Sequence, residues 1–452
     1  MRQSVRYIQD NIAAIASGSG QAGVGVIRIS GNNLSELASA LTGKQRLKPR
    51  FAHYGEFVDA TGEIIDSGLI IWFDAPRSFT GEDVLELQGH GSPVVLNMLL
   101  RRCLELGCRL AEAGEFTKRA YLNGKLDLVQ AESIADLIHA ESEATAKGAL
   151  KSLKGEFSRH IEVINEQLIN LRMFVEATLD FPEEDIEFIA NAKIKQKLEA
   201  LREQIHQLLS STQQGVILNN GANIVIIGRP NVGKSSLLNA LANEEVAIVT
   251  SIAGTTRDIV RQKIIVDGVP FNIIDTAGIR ETQDVVEQIG IERALSVIKD
   301  ADLALVLIDD SVGMSEEDTQ ILGKLPTELP RIFVHNKIDL SSGAASIVDN
   351  ESGAQVYISA KLGLGIDLLR QKLLSLIGWE NAAGDVFLAR TRHLDAMRIT
   401  VNHIDSAFSN WQSLEILAEE LRYSHTAFSS ITGEFSADDL LGEIFSKFCI
   451  GK

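Results

Sequence analysis

Only three cysteines occur in the 452 residues, Cys103, Cys108 and Cys449. They are too few and too scattered for a disulfide framework or a zinc site, so a reducing, cytoplasmic setting is expected. Proline is scarce too, at 8 residues, which excludes long proline-rich linkers. No apolar run approaches the roughly 18 residues of a membrane-crossing helix, so stable membrane insertion is not expected. Near the start, the apolar run Ile12–Ala16 is too short for the core of a signal peptide. At the end, Gly451 and Lys452 spoil the prenylation motif that the position of Cys449 suggests. Positive charge is also in short supply: 43 Lys+Arg stand against 61 Asp+Glu, a net of −18. That balance argues against a surface coated in nucleic acid, whose footprint is basic. The deficit is uneven, because residues 1–125 carry 14 basic and 13 acidic side chains and the acidity lies after them.

What is present is ordinary globular chemistry, 45% hydrophobic and 23% charged, on a chain long enough for two to four domains. Residues 1–125 read as mixed α/β. Strands are expected over Val24–Ile29 and Gly68–Phe73, and a helix over Val94–Leu106. Gly18, Gly20 and Gly23 precede the first strand, a loop able to bring backbone close to a ligand. From Leu128 to Phe181 there is no proline and only two glycines, which favours helix. Ile194, Leu198, Leu201, Ile205 and Leu208 recur at helical spacing and predict a bundle core. From Ala222 the texture changes. The apolar runs Ile224–Ile227, Phe271–Ile274, Leu303–Ile308, Ile332–Val334 and Val356–Ile358 alternate with helical stretches, the pattern of a doubly wound, mostly parallel sheet. Helix returns over Leu394–Phe408 and Leu414–Phe428, with a helix start at Ser436–Asp439. The expected organisation is an α/β domain over 1–125 and a helical domain over 126–215 that resumes at 379–452. A second α/β domain, 216–378, is inserted into it.

Gly228-Arg229-Pro230-Asn231-Val232-Gly233-Lys234-Ser235, followed by Ser236, fits the phosphate-cradling G-x-x-x-x-G-K-[ST] loop between a strand and a helix. Lys234 offers charge to the β/γ oxygens and Ser235 a hydroxyl to Mg²⁺. Asp275-Thr276-Ala277-Gly278 follows the next strand, where Asp275 suits the Mg²⁺ shell and the Gly278 N–H the γ-phosphate. Asn336-Lys337-Ile338-Asp339 follows another strand. A carboxylate there accepts two hydrogen bonds from guanine, and adenine, lacking a 2-amino group, is rejected. Ser359-Ala360-Lys361 suits the loop closing over the base. Four such elements in order, each at a strand's carboxyl end, indicate a P-loop GTPase. Thr256, in Gly254-Thr255-Thr256-Arg257-Asp258, offers a second Mg²⁺ ligand. Ile279 stands where Ras-type enzymes carry a water-orienting glutamine, so another group must do that work.

The chain resembles the MnmE (TrmE) family of tRNA-modification GTPases over essentially its whole length. The match rests on the nucleotide motifs, Ile252–Asp258, Ile289–Arg293, Phe79–Gly91 and Gly114–Ala120, and on the ending Ile431–Phe435 and Phe448–Lys452. The resemblance implies the following. Thr250, Ser251, Ile252, Ala253, Gly254, Thr255 and Thr256 join the GTP site. A potassium ion, held by Asn231, Thr250, Ile252 and Thr255, supplies the charge that an arginine finger supplies elsewhere. Glu287 orients the attacking water. Residues 1–125 bind 5-formyl- or 5,10-methylene-tetrahydrofolate through Arg28, Glu86 and Lys125, joined by Lys452, and dimerise. Cys449 is a candidate for chemistry on the one-carbon adduct, or a small buried hydrophobe. The partner implied is MnmG, which brings FAD and NADH, in a heterotetramer or larger complex that holds tRNA and modifies C5 of its wobble uridine. A ribosome-assembly GTPase of Era type is the rival reading. Such proteins carry a basic RNA-binding module, whereas the last 72 residues hold 6 basic and 10 acidic side chains and no G-X-X-G clamp loop. A signalling switch that only binds partners is a further rival, disfavoured by the Cys449 tail and the Arg28, Glu86, Lys125 set.

Overall fold

The computed structural model describes residues 10–44, 46–180, 187–242, 261–275, 301–323, 325–350, 353–380, 386–433, 438–446 and 448–451. The chain forms two compact units. One comprises Met1–Ala135, Ile161–Asn165 and His425–Lys452, and the other Asp136–His160 and Glu166–Ser424.

The first unit is built on β1 (Ile12–Ile15), β2 (Ala22–Gly31), β3 (His53–Val58), β4 (Ile64–Phe73), β5 (Asp83–Gly91) and β6 (Arg109–Leu110), in the order β3-β4-β5-β2-β1-β6. Strand alternation explains its layers. Ile27, Ile29, Leu85 and Leu87 turn to one face, where Leu96 and Leu99 of helix Pro93–Glu105 complete the core. Cys103 and Cys108 belong to that core, and burial pushes the Cys108 thiol up to about 11, so both are packing residues. Arg28 and Glu86, partners in the β2–β5 register, turn to the opposite face. The C-terminal segment returns to this unit. Leu441, Ile444, Phe445 and Phe448 pack with Leu128, Ala131 and Ala135, and Ile450 bridges antiparallel to Ala113.

The second unit holds a sheet of β7 (Ala222–Ile227), β8 (Arg261–Val266), β9 (Val269–Asp275), β10 (Leu303–Asp309), β11 (Arg331–Asn336), β12 (Ser346–Asn350) and β13 (Gly353–Tyr357). The order is β12-β13-β11-β10-β7-β9-β8, with antiparallel strands only at the two edges. Strands β7, β9, β10 and β11 are buried on both faces, which is why they read as continuous apolar runs. Strand β7 lies between β9 and β10, so the chain winds away from it in both directions. Its carboxyl end is the switch point where ligands bind in such sheets. The β8–β9 hairpin turns on Asp267-Gly268, both at positive φ, as a two-residue type I′ turn requires.

Helix Glu187–Asn220 leads into β7. Ile194, Leu198, Leu201, Ile205 and Leu208 are all buried, so the periodic stripe is a core face. Gly221 ends the helix at φ 73°, where an added Cβ would stand 2.9 Å from the Pro270 carbonyl oxygen. The boundary expected between residues 215 and 216 therefore falls inside a continuous helix. Among the described residues no helix is long and apolar enough to cross a membrane.

Candidate functional site

The loop after β7 puts Asn231 and Gly233 at φ 64° and 99°. Such a run of left-handed turns points backbone N–H groups inward and makes an anion cradle. Glycine suits position 233, since an added Cβ would lie 2.3 Å from Asn336 Nδ2 and would push that amide out of place. Lys234 opens helix Lys234–Ala242, and its Nζ donates to the Gly228 carbonyl at 3.0 Å, across the mouth of the loop. Ser235 and Ser236 are exposed in the first turn, where the helix dipole favours anions. A cavity of about 130 Å³ lies beside Lys234 and Ser235.

Asn336, at the end of β11, is only 2% exposed and joins three loops. Its Nδ2 donates to the Val232 carbonyl at 2.8 Å, and its Oδ1 accepts from the Ala360 N–H at 3.0 Å. Lys337 stands at φ 70° and pairs with Asp309 Oδ2 at 2.7 Å. Burial works against the Asp309 charge, but hydrogen bonds from Lys337 and Ser311 outweigh it and hold the carboxyl below its ordinary value. Ile338 is buried, and its N–H donates to the Ile358 carbonyl at 3.2 Å. Asp339 Oδ1 accepts from Ser359 Oγ at 2.6 Å, which aims the carboxylate. Ser359 is fully buried, and its N–H and carbonyl exchange hydrogen bonds with Leu364, closing the loop that carries exposed Lys361. The structure thus brings the phosphate loop, 336–339 and 359–361 together around one amide side chain. Asp275 ends β9 beside Ile226 of β7. Thr250, Ser251, Ile252, Ala253, Gly254, Thr255, Thr256, Thr276, Ala277, Gly278 and Glu287 lie outside the described residues.

A second constellation lies on the first unit. Arg28 Nη2 stands 2.9 Å from Glu86 Oε1, and Arg28 Nη1 donates to the Gly451 carbonyl at 3.4 Å. The guanidinium also lies 5.8 Å from the Phe79 ring and 5.9 Å from Phe116, within cation–π range. Gly451 is at φ 95°, and an added Cβ would stand 2.4 Å from the Ile15 carbonyl oxygen. Cys449 is exposed on the same tail, and its carbonyl accepts from the Gly114 N–H. Lys125 turns elsewhere: its Nζ donates to the Pro76 carbonyl at 2.9 Å, on the loop before Phe79. Lys452 lies outside the described residues.

Composition and spacing did not reveal the buried ionic network beneath this site. Arg119 is fully buried and reaches Glu82 at 2.9 Å, Asp10 at 2.8 Å and Glu115 at 3.0 Å. Ser30 donates to Glu82 and meets Thr80, so the network holds both the strand of Arg28 and the turn of Phe79. Burial opposes the charge of Glu115, but Arg109, the Glu112 amide and Arg119 hold its carboxyl down at about 2. Asp309 belongs to none of the nucleotide motifs. Its one sequence signal is position, because it is the register partner of Asn336 across β10 and β11.

The sheet order, the loop after β7 and the base-side loops define a P-loop nucleotide-binding domain of the GTPase class. Residues 11–125 match the family model described as the GTP-binding protein TrmE N-terminus, and residues 128–449 match the MnmE helical domain. The tRNA modification GTPase MnmE of Chromobacterium violaceum is 56% identical, over 99% of this chain and 100% of that protein. The MnmE of Laribacter hongkongensis is also 56% identical over 99% and 100%. That of Neisseria meningitidis serogroup C (strain 053442) is 57% identical over 98% of each chain. The chain belongs to the MnmE family.

Proposed function

We propose that the protein is a potassium-dependent GTPase that works with MnmG in the cytoplasm to build a carboxymethylaminomethyl or aminomethyl group on C5 of the tRNA wobble uridine. The observation that carries the nucleotide half of this reading is the Asn336 junction. One amide binds the phosphate loop to the base loops, and Ser359 aims Asp339 for two hydrogen bonds to guanine. Relatives that match end to end are named tRNA modification GTPases, which supports a role in tRNA modification.

In this reading Asn231, Val232, Gly233, Lys234, Ser235 and Ser236 hold the phosphates, and Ser235 and Thr256 ligate Mg²⁺. Hard hydroxyl oxygens at a helix start suit that ion. Asn231 is exposed in the left-handed region at φ 64°, and its neutral amide oxygen suits a weakly hydrated monovalent cation. Thr250, Ile252 and Thr255 complete the set. The cation offsets charge developing on the transferring phosphoryl group. Glu287 orients the attacking water in place of the missing glutamine. Hydrolysis drives association and dissociation of paired nucleotide domains rather than making a bond to uridine.

Residues 1–125 form the folate-binding and dimerisation domain, 126–215 and 379–452 the helical domain, and 216–378 the nucleotide domain. The donor set on the first unit fits a reduced folate. Glu86 Oε2 offers an acceptor to an aminopyrimidine edge, Phe79 and Phe116 offer ring faces, and Arg28 offers cationic donors. Folate supplies the one-carbon unit, and MnmG brings FAD and NADH. By the family resemblance Lys125 and Lys452 complete the folate set, and Cys449 is the candidate for chemistry on the adduct.

The decisive test joins two measurements. GTP turnover should be fast in potassium and slow in sodium, and tRNA from a strain lacking the protein should lose the C5 wobble modification on mass analysis. Equal rates in the two salts, or an intact wobble nucleoside, would overturn the respective half.

A further inference from the structure

The reading above leaves Arg229 without a role, although it lies inside the phosphate loop. We propose that Arg229 is a positioning residue: clamped on Asp318, it sets the position of Asn231 and thereby the affinity for the activating monovalent cation. The inference rests on the potassium reading of Asn231.

Arg229 is tied down at two points. Its Nη2 donates to the Gly313 carbonyl at 3.1 Å, and its Nε lies 3.3 Å from Asp318 Oδ2, an ion pair in which the buried Nε–H makes no hydrogen bond among the described residues. Asp318 is 1% exposed. Its Oδ2 also accepts from the Ser315 N–H at 3.0 Å and from Ser315 Oγ at 2.8 Å, so the carboxylate is fixed before the arginine arrives. Arg229 is its cationic partner among the described residues, and Asp318 Oδ1 has no hydrogen-bond partner among them. A buried carboxylate without its cation is costly, so this charge pulls Arg229 into one place. The guanidinium keeps one directed hydrogen bond to Gly313 while its delocalised charge stays beside Asp318, a combination that the point charge of a lysine ammonium does not reproduce.

From Arg229 the constraint passes along the chain. Pro230 locks its own φ near −65° and leaves little play before Asn231. Asn231 holds φ 64°, a left-handed state that asparagine enters more readily than most side-chain-bearing residues, and its neighbours on both sides keep it there. One of them is Gly233, packed under Asn336. The other is the Arg229-Pro230 clamp. A site that must place an oxygen within roughly 0.5 Å needs such support behind its ligand.

The test follows GTP turnover by the full-length protein against potassium concentration, with GDP affinity measured separately in sodium. Arg229→Lys and Asp318→Asn are each expected to raise the half-activating potassium concentration about tenfold, with turnover recovering at saturating potassium and GDP affinity held within about twofold. The double variant should shift no further than the worse single, because both break one clamp. A potassium-dependent wild type whose half-activation neither variant moves overturns the clamp alone. A fall in GDP affinity with half-activation unmoved marks plain structural support and overturns it equally. A wild type with equal rates in potassium and sodium removes the potassium reading, and this proposal with it.

Discussion

Asn336 commits both ends of its amide to other loops, one to the Val232 carbonyl and one to the Ala360 N–H. Truncation to alanine leaves a buried carbonyl and a buried N–H without partners. Each such loss costs on the order of 1–3 kcal/mol. Asn336→Ala should therefore weaken GDP and GTP alike by about 30-fold or more, read by titration with a fluorescent nucleotide, while the melting of the first unit stays unchanged. A selective loss of GTP over GDP would mean that the residue serves the γ-phosphate instead. Glu115 gives a pH prediction. Its folded carboxyl lies at about 2 against an ordinary value of 4.5, so its contribution is fully present above about 4.5 and is lost as pH falls toward 2. Glu115→Gln should cost roughly 3 kcal/mol at neutral pH, by stranding the charges of Arg109 and Arg119, and should flatten the acid loss in that window. Hydrogen exchange of the β2 and β5 amides measures it, and an unchanged acid slope would assign the loss to other carboxylates. At this scale the motif residues were readable because phosphate and guanine recognition demand fixed types at fixed spacings. The Arg119 network was not, since Glu115 and Arg119 are an ordinary i,i+4 pair in sequence and only folding brings Glu82, 37 positions away, and Asp10, 109 positions away, onto the same guanidinium.

Elements divide by how fully they are buried. Strands β7, β9, β10 and β11 announce themselves as apolar runs because both faces are covered, whereas β13 buries only alternate residues. The edge strand β12 and the half-exposed β3 carry no such run, and in β8 the three buried residues Ile264, Ile265 and Val266 follow the polar Arg261, Gln262 and Lys263, a mixed signal for a strand. Helix Glu187–Asn220 shows its stripe over Ile194–Leu208, but its carboxyl end is set by Gly221 beneath the Pro270 carbonyl, a contact that leaves no periodic mark. The docking of the C-terminal tail is equally silent, because it is made of backbone: Ile450 with Ala113, Cys449 with Gly114, and Gly451 with Arg28. Gly451 takes φ 95° with the Ile15 carbonyl oxygen where a Cβ would stand. Gly451→Ala should lift the tail from Arg28 and weaken 5-formyl-tetrahydrofolate binding about tenfold or more, by calorimetry, with GTP turnover unaffected. Unchanged folate binding would separate the tail from the site.

For the whole molecule, the charge is the property to reconcile with tRNA. The chain is at −18, yet its first 125 residues are nearly balanced and carry 14 of the 43 basic side chains. The acid sits on the helical and nucleotide-binding segments. Affinity for a polyanion scales with the number of phosphates neutralised, and each adds roughly 0.7–0.9 to the slope of log K against log salt. An acidic chain with only local basic patches neutralises few, and repulsion from its remaining surface works against close approach. In the proposed assembly MnmG then holds most of the tRNA, while this subunit contributes the nucleotide cycle and the one-carbon unit. The isolated protein should bind tRNA weakly, with a salt slope no steeper than about −3, and addition of MnmG should raise both affinity and slope. Filter binding or anisotropy across a potassium chloride series measures this. Tight binding by the isolated chain, with a steep slope, would place a basic tRNA surface on this subunit and reverse the division of labour.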